Sequence, residues 1–420
     1  MPSIESGNNN GQVTQTTKIG FFERLSGAIK GIFIGLLIFI ASFVVLYWNE
    51  GRVDSSNFAA TAVEVSATVP NTDTNLNGKL VHLGGDLISS AQFGDDTYLK
   101  QDKYIALGRK VEMYAWVEES STKTTTNVGG SQTQETTYTY KQAWTSLPAD
   151  SSTFNSPNGH TNPIKALADN TWYATDAKVG LYMVDASTLV LPSFQTITLN
   201  NQNTMLPSVV TTTQPQIDLL KAVSTSSDGI TNEISTSQNQ LVQKTELNGN
   251  YVYVTKNGVA TPTVGDMRVS YSGIMSGTPV TLLGRLDGDK ISLMTDPKTG
   301  TKLYRAFTGT FTDALGTLHT EYKTSLWILR LIGFLMMWIG LGMVLAPLSI
   351  IMDILPFLGS VSRGVIGLVT CVVAIVLSII TIIVSKFLHN PFVLVLVVLG
   401  VVVYIFSLIK KAKDKSQTIN

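Results

Sequence analysis

The chain has 420 residues, with 30 Lys plus Arg, 30 Asp plus Glu and one cysteine. Charged residues make up 14% of it, against about 25% in ordinary soluble domains, and the mean hydropathy is +0.20. Such a balance excludes an electrostatic nucleic-acid binder, which needs clustered cations, and the lone Cys371 excludes an internal disulfide or a thiolate metal cage.

Residues 1–17 are rich in Asn, Gln, Gly, Ser and Thr and read as disordered. The stretch 21–30, FFERLSGAIK, reads either as an amphipathic lead-in lying on the membrane surface or as a cytosolic extension of the helix that follows. From 31 to 48 run eighteen uncharged residues, a length that fits a membrane span, closed by Tyr47 and Trp48 at the interfacial belt. Large residues at its end and about thirty residues before it argue for an uncleaved anchor, not a signal peptide. Gly27, Gly31 and Gly35 recur at i, i+4 and i+8, the spacing at which helix backbones approach closely, and mark a face for bundling or self-association.

The region 49–325 reads mainly as β. Runs at 79–87, 109–119, 135–144, 251–255, 267–274 and 278–294 are rich in β-branched and aromatic residues. Asp287-Gly288 and the Asp296 to Gly300 segment carry turn chemistry, and 119–134 reads as an exposed hairpin tip. Helical candidates lie at 163–170 and 215–225. Three further uncharged stretches follow at 331–352, 364–385 and 392–409, with Arg330, Asp353, Arg363, Lys386 and Lys410 at their ends. No charge lies inside a span, which counts against an ion pathway or proton relay.

Basic residues precede the first span (Lys18, Arg24, Lys30) and follow the last (Lys410, Lys411, Lys413, Lys415), so both termini are expected in the cytosol. The expected fold is an α+β membrane protein with four transmembrane helices, one N-terminal and three C-terminal, around a large β-rich non-cytosolic domain. Its division is a cytosolic tail over 1–30, spans over 31–48, 326–352, 364–385 and 391–409, a luminal or periplasmic domain over 49–325, a cytosolic loop over 353–363 and a basic tail over 410–420.

No HExxH, GxSxG, Walker or dinucleotide-binding motif occurs. The histidines His82, His160, His319 and His389 share no metal-ligand spacing; His160, in NGHTNP, is read as ordering a loop rather than as a general base. Glu112 and Glu118, on one strand face with Tyr114 and Trp116, read as outward residues of a half-solvated strand and not as a catalytic pair. The expectation is therefore no catalytic residue, no cofactor and no metal.

GFFERLSGAIKGIFIGLLIFIASFVVLYWNEGR at 20–52 resembles the opening of the transmembrane protein 43 family, also called LUMA. Further matching stretches are GKLVHLGGDL (78–87), RKVEMYAWVEE (109–119), YTYKQAW (138–144), GHTNP (159–163) and VGDMRVSYSGI (264–274). The resemblance implies one N-terminal span, a large luminal domain and three C-terminal spans. It implies shared positions at Asn49, Glu50, Gly51, Arg52, His160 and Asp266 with structural or interaction roles, and it carries no catalytic residue. Animal members are associated with the endoplasmic reticulum and inner nuclear membrane, where lamins and emerin are the partners implied. The expected function is a self-associating, non-enzymatic membrane scaffold, with the lipid bilayer and a homo-oligomer as surroundings. The alternative is a lipid-handling protein acting through the 49–325 domain.

Overall fold

A computed structural model describes residues 3–8, 12–70, 73–207, 210–212 and 241–389. The span expected at 391–409, the basic tail 410–420 and the helical candidate at 215–225 lie outside the described residues.

Three described helices are long and apolar enough to cross a membrane. The first, α1, runs Phe21–Glu50, so FFERLSGAIK is a continuation of the helix. A short α2, Ser55–Ala59, follows, its N-cap Asp54 accepting from the Ser56 N–H. α3 runs Phe311–Met352 and begins well before the uncharged stretch that marks the span. The Thr310/Asp313 capping box starts it, and its first turns are amphipathic: Ala314 and Leu318 are buried in the β domain with Leu80, Leu283 and Phe307. A search for uncharged residues finds the membrane half of this helix and misses the half that docks it. α4 runs Pro356–Leu388, with proline in its first turn, so the loop expected over 353–363 is only a three-residue turn. α1, α3 and α4 pack around Leu46, Met337 and Ala374, all fully buried.

Two large sheets make up the remainder, ten-stranded and seven-stranded. Strands Leu80–Ile88, Thr278–Asp287 and Lys290–Ser292 belong to the smaller sheet; Asp287-Gly288 makes the expected hairpin turn. Strands Met267–Met275 and Tyr251–Thr255 belong to the larger. One core gathers Val81, Leu83, Ile105, Leu282 and Leu286, and a second gathers Leu107, Val111, Val252, Val254 and Val269. Residues 163–170 are not helical. The Lys165 ammonium there donates to the Val111 and Ser146 carbonyls, at 3.2 and 3.0 Å, which pins the segment across the sheet.

The larger sheet extends into an arm. Strands Tyr104–Thr126 and Gln132–Thr145 pair from Met113↔Thr145 to Thr126↔Gln132, while the neighbouring strand leaves at Met267↔Met113. Beyond that point the hairpin continues for about 43 Å, at about 3.3 Å per residue. The stretch expected to be disordered supplies two more strands. β1, Ser3–Asn8, pairs with β2, Gln12–Ile19, and β2 lies along the hairpin from Gln12↔Thr139 to Ile19↔Gln132. Alternating Thr, Val and Ile in QVTQTTKI gives β2 a strand's propensity once an edge is offered to it. Only Gly20 separates β2 from α1.

The arm therefore runs beside the helices, and its tip reaches their far end. Gly129 N–H donates to the Ile354 carbonyl at 3.0 Å, and Arg24 donates to the Gly130 carbonyl. Gly130 has φ +79, and a Cβ there would stand 2.6 Å from the Phe21 ring. The distal arm carries Ser, Thr and Gln on both faces. The sequence expectation puts 119–134 and 353–363 on opposite sides of a membrane; the geometry puts them in contact.

Sided labelling tests the contact. In a Cys371→Ala background, Val128→Cys at the tip and Leu355→Cys are expected to react with a membrane-impermeant maleimide from the same face of sealed vesicles, and Leu147→Cys from the other. Val128 and Leu147 labelling from one face and Leu355 from the other would refute it.

Candidate functional site

The four residues 49–52 close the end of α1 nearest the β domain, and each has its own partner. Asn49 is fully buried and its amide donates to the Leu326 carbonyl of α3 at 3.0 Å, while its Oδ1 has no hydrogen-bond partner among the described residues. The Glu50 carboxylate, 1% exposed, takes both arms of the Arg330 guanidinium at 2.7 and 2.8 Å. This is the planar bidentate match of guanidinium to carboxylate. Arg330 also lies 4.8 Å from the Trp327 ring centroid. Gly51 leaves room for His389, whose Nε2 would be 2.2 Å from a Cβ at that position. The His389 ring lies 4.4 Å from Tyr47, and its Nδ1 donates to the Ser385 carbonyl at 2.8 Å. Ser385 in turn donates to the Tyr47 carbonyl at 3.0 Å. Arg52 donates to Ser325 Oγ, and its carbonyl accepts from Tyr322 at 3.3 Å. The junction thus ties α1 to α3 and α4 where the chain enters the β domain.

Fifteen residues before Glu50, at Gly35, α1 and α3 nearly touch backbone to backbone. A Cβ on Gly35 would stand 2.6 Å from Met343 Cβ and 2.9 Å from the Gly340 carbonyl, and one on Gly340 2.8 Å from the Gly35 carbonyl. Gly333 instead makes room for the Leu46 side chain, whose Cγ would stand 2.6 Å from a Cβ there. Among the described residues Gly31 is only loosely approached, by Met343 at 3.9 Å, and nothing stands within 4 Å of a Cβ on Gly27. The glycine face is used within the chain at Gly35 and left open at Gly27.

His160 is held at the root of the arm. Its ring stacks on Tyr140 at 3.9 Å and meets Trp116 edge-on at 4.7 Å, and its Nδ1 donates to the Ser156 carbonyl at 2.9 Å. The Tyr140 hydroxyl donates to Glu118 at 2.6 Å and accepts from the Ser156 N–H at 2.8 Å. Burial, with the carboxylate beside it, pushes this phenol up to about 12. Glu118 also accepts from the Asn155 N–H, whereas Glu112 pairs with Arg268 at 2.7 Å, so the two carboxylates serve separate partners. His160 and Glu118 meet across Tyr140 as a clamp on the loop 150–163. Asp266, fully buried, does similar work: it accepts from the Lys256 and Thr263 N–H groups at 3.0 and 2.7 Å.

Two clefts lie in the smaller sheet. One of about 470 Å³ is lined by Glu64, His82, Asp86 and Phe311; His82 stacks on Phe311 at 3.7 Å, and burial lowers its pKa. The other, of about 500 Å³, is bordered by Tyr173, Met183, Asp185, Lys290, Ser292 and Leu293. His160 lines neither. Among the described residues no three His, Cys, Asp or Glu side chains are grouped to hold a metal. Sequence reasoning missed the buried Asp95, which accepts from the Tyr98 N–H at 2.7 Å and the Tyr271 hydroxyl and pairs with Arg109 at 3.3 Å. Its only signal is a turn-like Asp-Asp-Thr.

Residues 113–391 match the family model described as transmembrane protein 43. The chain is 27% identical to transmembrane protein 43 of Rattus norvegicus over 400 residues and to that of Homo sapiens over 402, covering 90% of each chain. It is 27% identical to the transmembrane protein 43 homolog of Drosophila melanogaster over 266 residues, 61% of each. No solved structure matches it.

The junction makes a stability test. Glu50→Leu or Arg330→Met alone leaves one buried charge without its partner and is expected to cost about 3–5 kcal/mol. Glu50→Leu combined with Arg330→Met is expected to recover most of that loss in thermal unfolding in detergent. Strictly additive losses in the double variant would show that the two side chains do not act as a pair.

Proposed function

The chain belongs to the transmembrane protein 43 family, and on that footing we propose that it is a non-enzymatic membrane scaffold that self-associates through α1. The observation that carries this reading is the half-used glycine face: among the described residues Gly35 is filled by Gly340 of the same chain, while Gly27 is open and Gly31 almost so. Small residues on an open helix face admit a second helix at close range. Ile34, on the same helix face, is more than half exposed in the single chain, and a second copy would cover it.

In a eukaryotic cell the setting is the endoplasmic reticulum and inner nuclear membrane, with lamins and emerin as partners by family resemblance and organisation of the nuclear envelope as the task. In a bacterial cell it is the inner membrane. Lys18, Arg24 and Lys30 at the start of the chain support cytosolic termini. A second reading, lipid handling by the β domain, is favoured by the 500 Å³ cleft, whose border exposes Tyr173, Met183 and Leu293.

Purified protein is expected to sediment as an oligomer in detergent. Gly27→Leu and Gly31→Leu are expected to shift it toward monomer without lowering the unfolding temperature, whereas Gly35→Leu lowers the unfolding temperature because it forces α1 from α3. A wild-type monomer, or an oligomer indifferent to Gly27→Leu and Gly31→Leu, would sink the α1 reading.

A further inference from the structure

The end of the bundle away from the β domain holds a second charged cluster, built differently from the first. Asp353, at the C-terminus of α3, has a fully buried carboxylate. Arg24 of α1 reaches it at 2.5 Å, and Arg363 of α4 reaches it at 2.5 and 2.6 Å through Nη1. Two guanidinium groups thus share one carboxylate. Arg24 is 8% exposed and also donates to Gly130, but Arg363 is 42% exposed, with Nε and Nη2 left over among the described residues. Glu23, also at this end, is exposed and pairs with neither arginine among the described residues.

A second feature adds to the positive field. α1 and α4 both begin here, and neither N-cap, Gly20 nor Leu355, makes a side-chain capping bond. Two N-termini direct the positive ends of their dipoles toward this level, against the one negative end of α3.

That level lies within a headgroup layer. Arg24 and Glu50 are about 39 Å apart along α1 at 1.5 Å per residue. The hydrocarbon core is about 30 Å thick, or about 40–45 Å with the headgroups. When the junction at Glu50 and Arg330 sits in one headgroup layer, the Arg24–Asp353–Arg363 cluster sits in the other. Beside it Phe22 is 81% exposed, Ile354 48% and Leu355 54%. A ligand there meets cations and apolar side chains together.

We propose that Arg24 and Arg363, held by Asp353, form a binding site for the phosphate of an anionic phospholipid. Arg363 presents its remaining donors to the phosphate, Arg24 and the helix N-termini supply the field, and Phe22, Ile354 and Leu355 seat this end of the bundle in the interfacial layer beside the lipid. The exposed apolar rim favours a lipid over a free anion, since inorganic phosphate gains nothing from it. The site does not depend on self-association.

The test is native mass spectrometry of the full chain in non-ionic detergent, titrated separately with phosphatidylglycerol, phosphatidylcholine and inorganic phosphate. Phosphatidylglycerol is expected to bind at least about tenfold more tightly than phosphatidylcholine, the scale of one charge-assisted contact. Arg363→Gln, which leaves the Arg24–Asp353 pair, is expected to remove that preference at unchanged unfolding temperature. Should it not fold, Arg363→Lys keeps the charge but loses the planar fork and is expected to weaken the preference partially. Lys386→Gln, at the other end of α4, is the control and is expected to change nothing. Equal retention of the two lipids overturns the proposal, as does equal loss in Arg363→Gln and Lys386→Gln, which would mean general surface charge. Displacement of the lipid by inorganic phosphate at comparable concentration would assign the site to a free anion instead.

Discussion

A carboxylate at the end of an apolar helix must have its charge answered, and the molecule is arranged around that requirement. Glu50 is closed off from solvent and answered by both arms of Arg330. A buried pair of this kind contributes little net stability compared with apolar side chains, but breaking it is costly. Its use is registry: it fixes how far α3 slides along α1. With the slide fixed, Gly35 falls opposite Gly340 and Gly333 opposite Leu46, and the backbones close to contact. Displacement of one turn would put a side chain where only a hydrogen fits. The same registry lets the amphipathic start of α3 reach the β domain, where Ala314 and Leu318 complete a core with Leu80 and Leu283.

Charge at both ends of the bundle is handled by sharing, with different outcomes. At the domain end one anion meets one cation and Arg52 turns to Ser325. At the far end one anion meets two cations, one of them well exposed. The bundle is thereby polarised along its axis while no charge lies between Leu331 and Met352. The β domain deals with its buried anions separately, by wrapping backbone N–H groups around Asp95 and Asp266, as suits a domain built from Ser, Thr and Asn rather than from Lys and Glu.

Much of this was legible in the sequence. The strands at 79–87, 109–119, 135–144, 251–255 and 267–274 were visible as runs of β-branched and aromatic residues, and the Asp287-Gly288 turn was visible as chemistry. Three apolar helices were visible as uncharged stretches. The charges at their ends could be found singly, but nothing local says that Glu50 belongs with Arg330 or Arg24 with Asp353, because those partners lie hundreds of residues apart. β1 and β2 were hidden for a different reason: a polar Thr- and Gln-rich segment has no apolar face to signal a strand, and it becomes one only when the edge of the hairpin is offered. His160 was placed in an ordering role on turn chemistry alone; of its clamp partners, Tyr140 lies twenty residues back in the strand that leads into the loop, and Trp116 comes from a strand the loop does not adjoin.

The arm and α1 are bound to a common length. β2 precedes α1 in the chain and its partner strand follows it, so the two are delivered to opposite ends of the helix. They meet only because the hairpin is long enough to travel the height of the bundle. Adding four residues to α1 raises it by about 6 Å, and restoring the pairing then takes two more residues in each hairpin strand, about 6.6 Å. Since two residues preserve the alternation of strand faces and one does not, the dimension is quantised. Relatives adapted to thicker or thinner bilayers should therefore change helix and hairpin together, in pairs of strand residues.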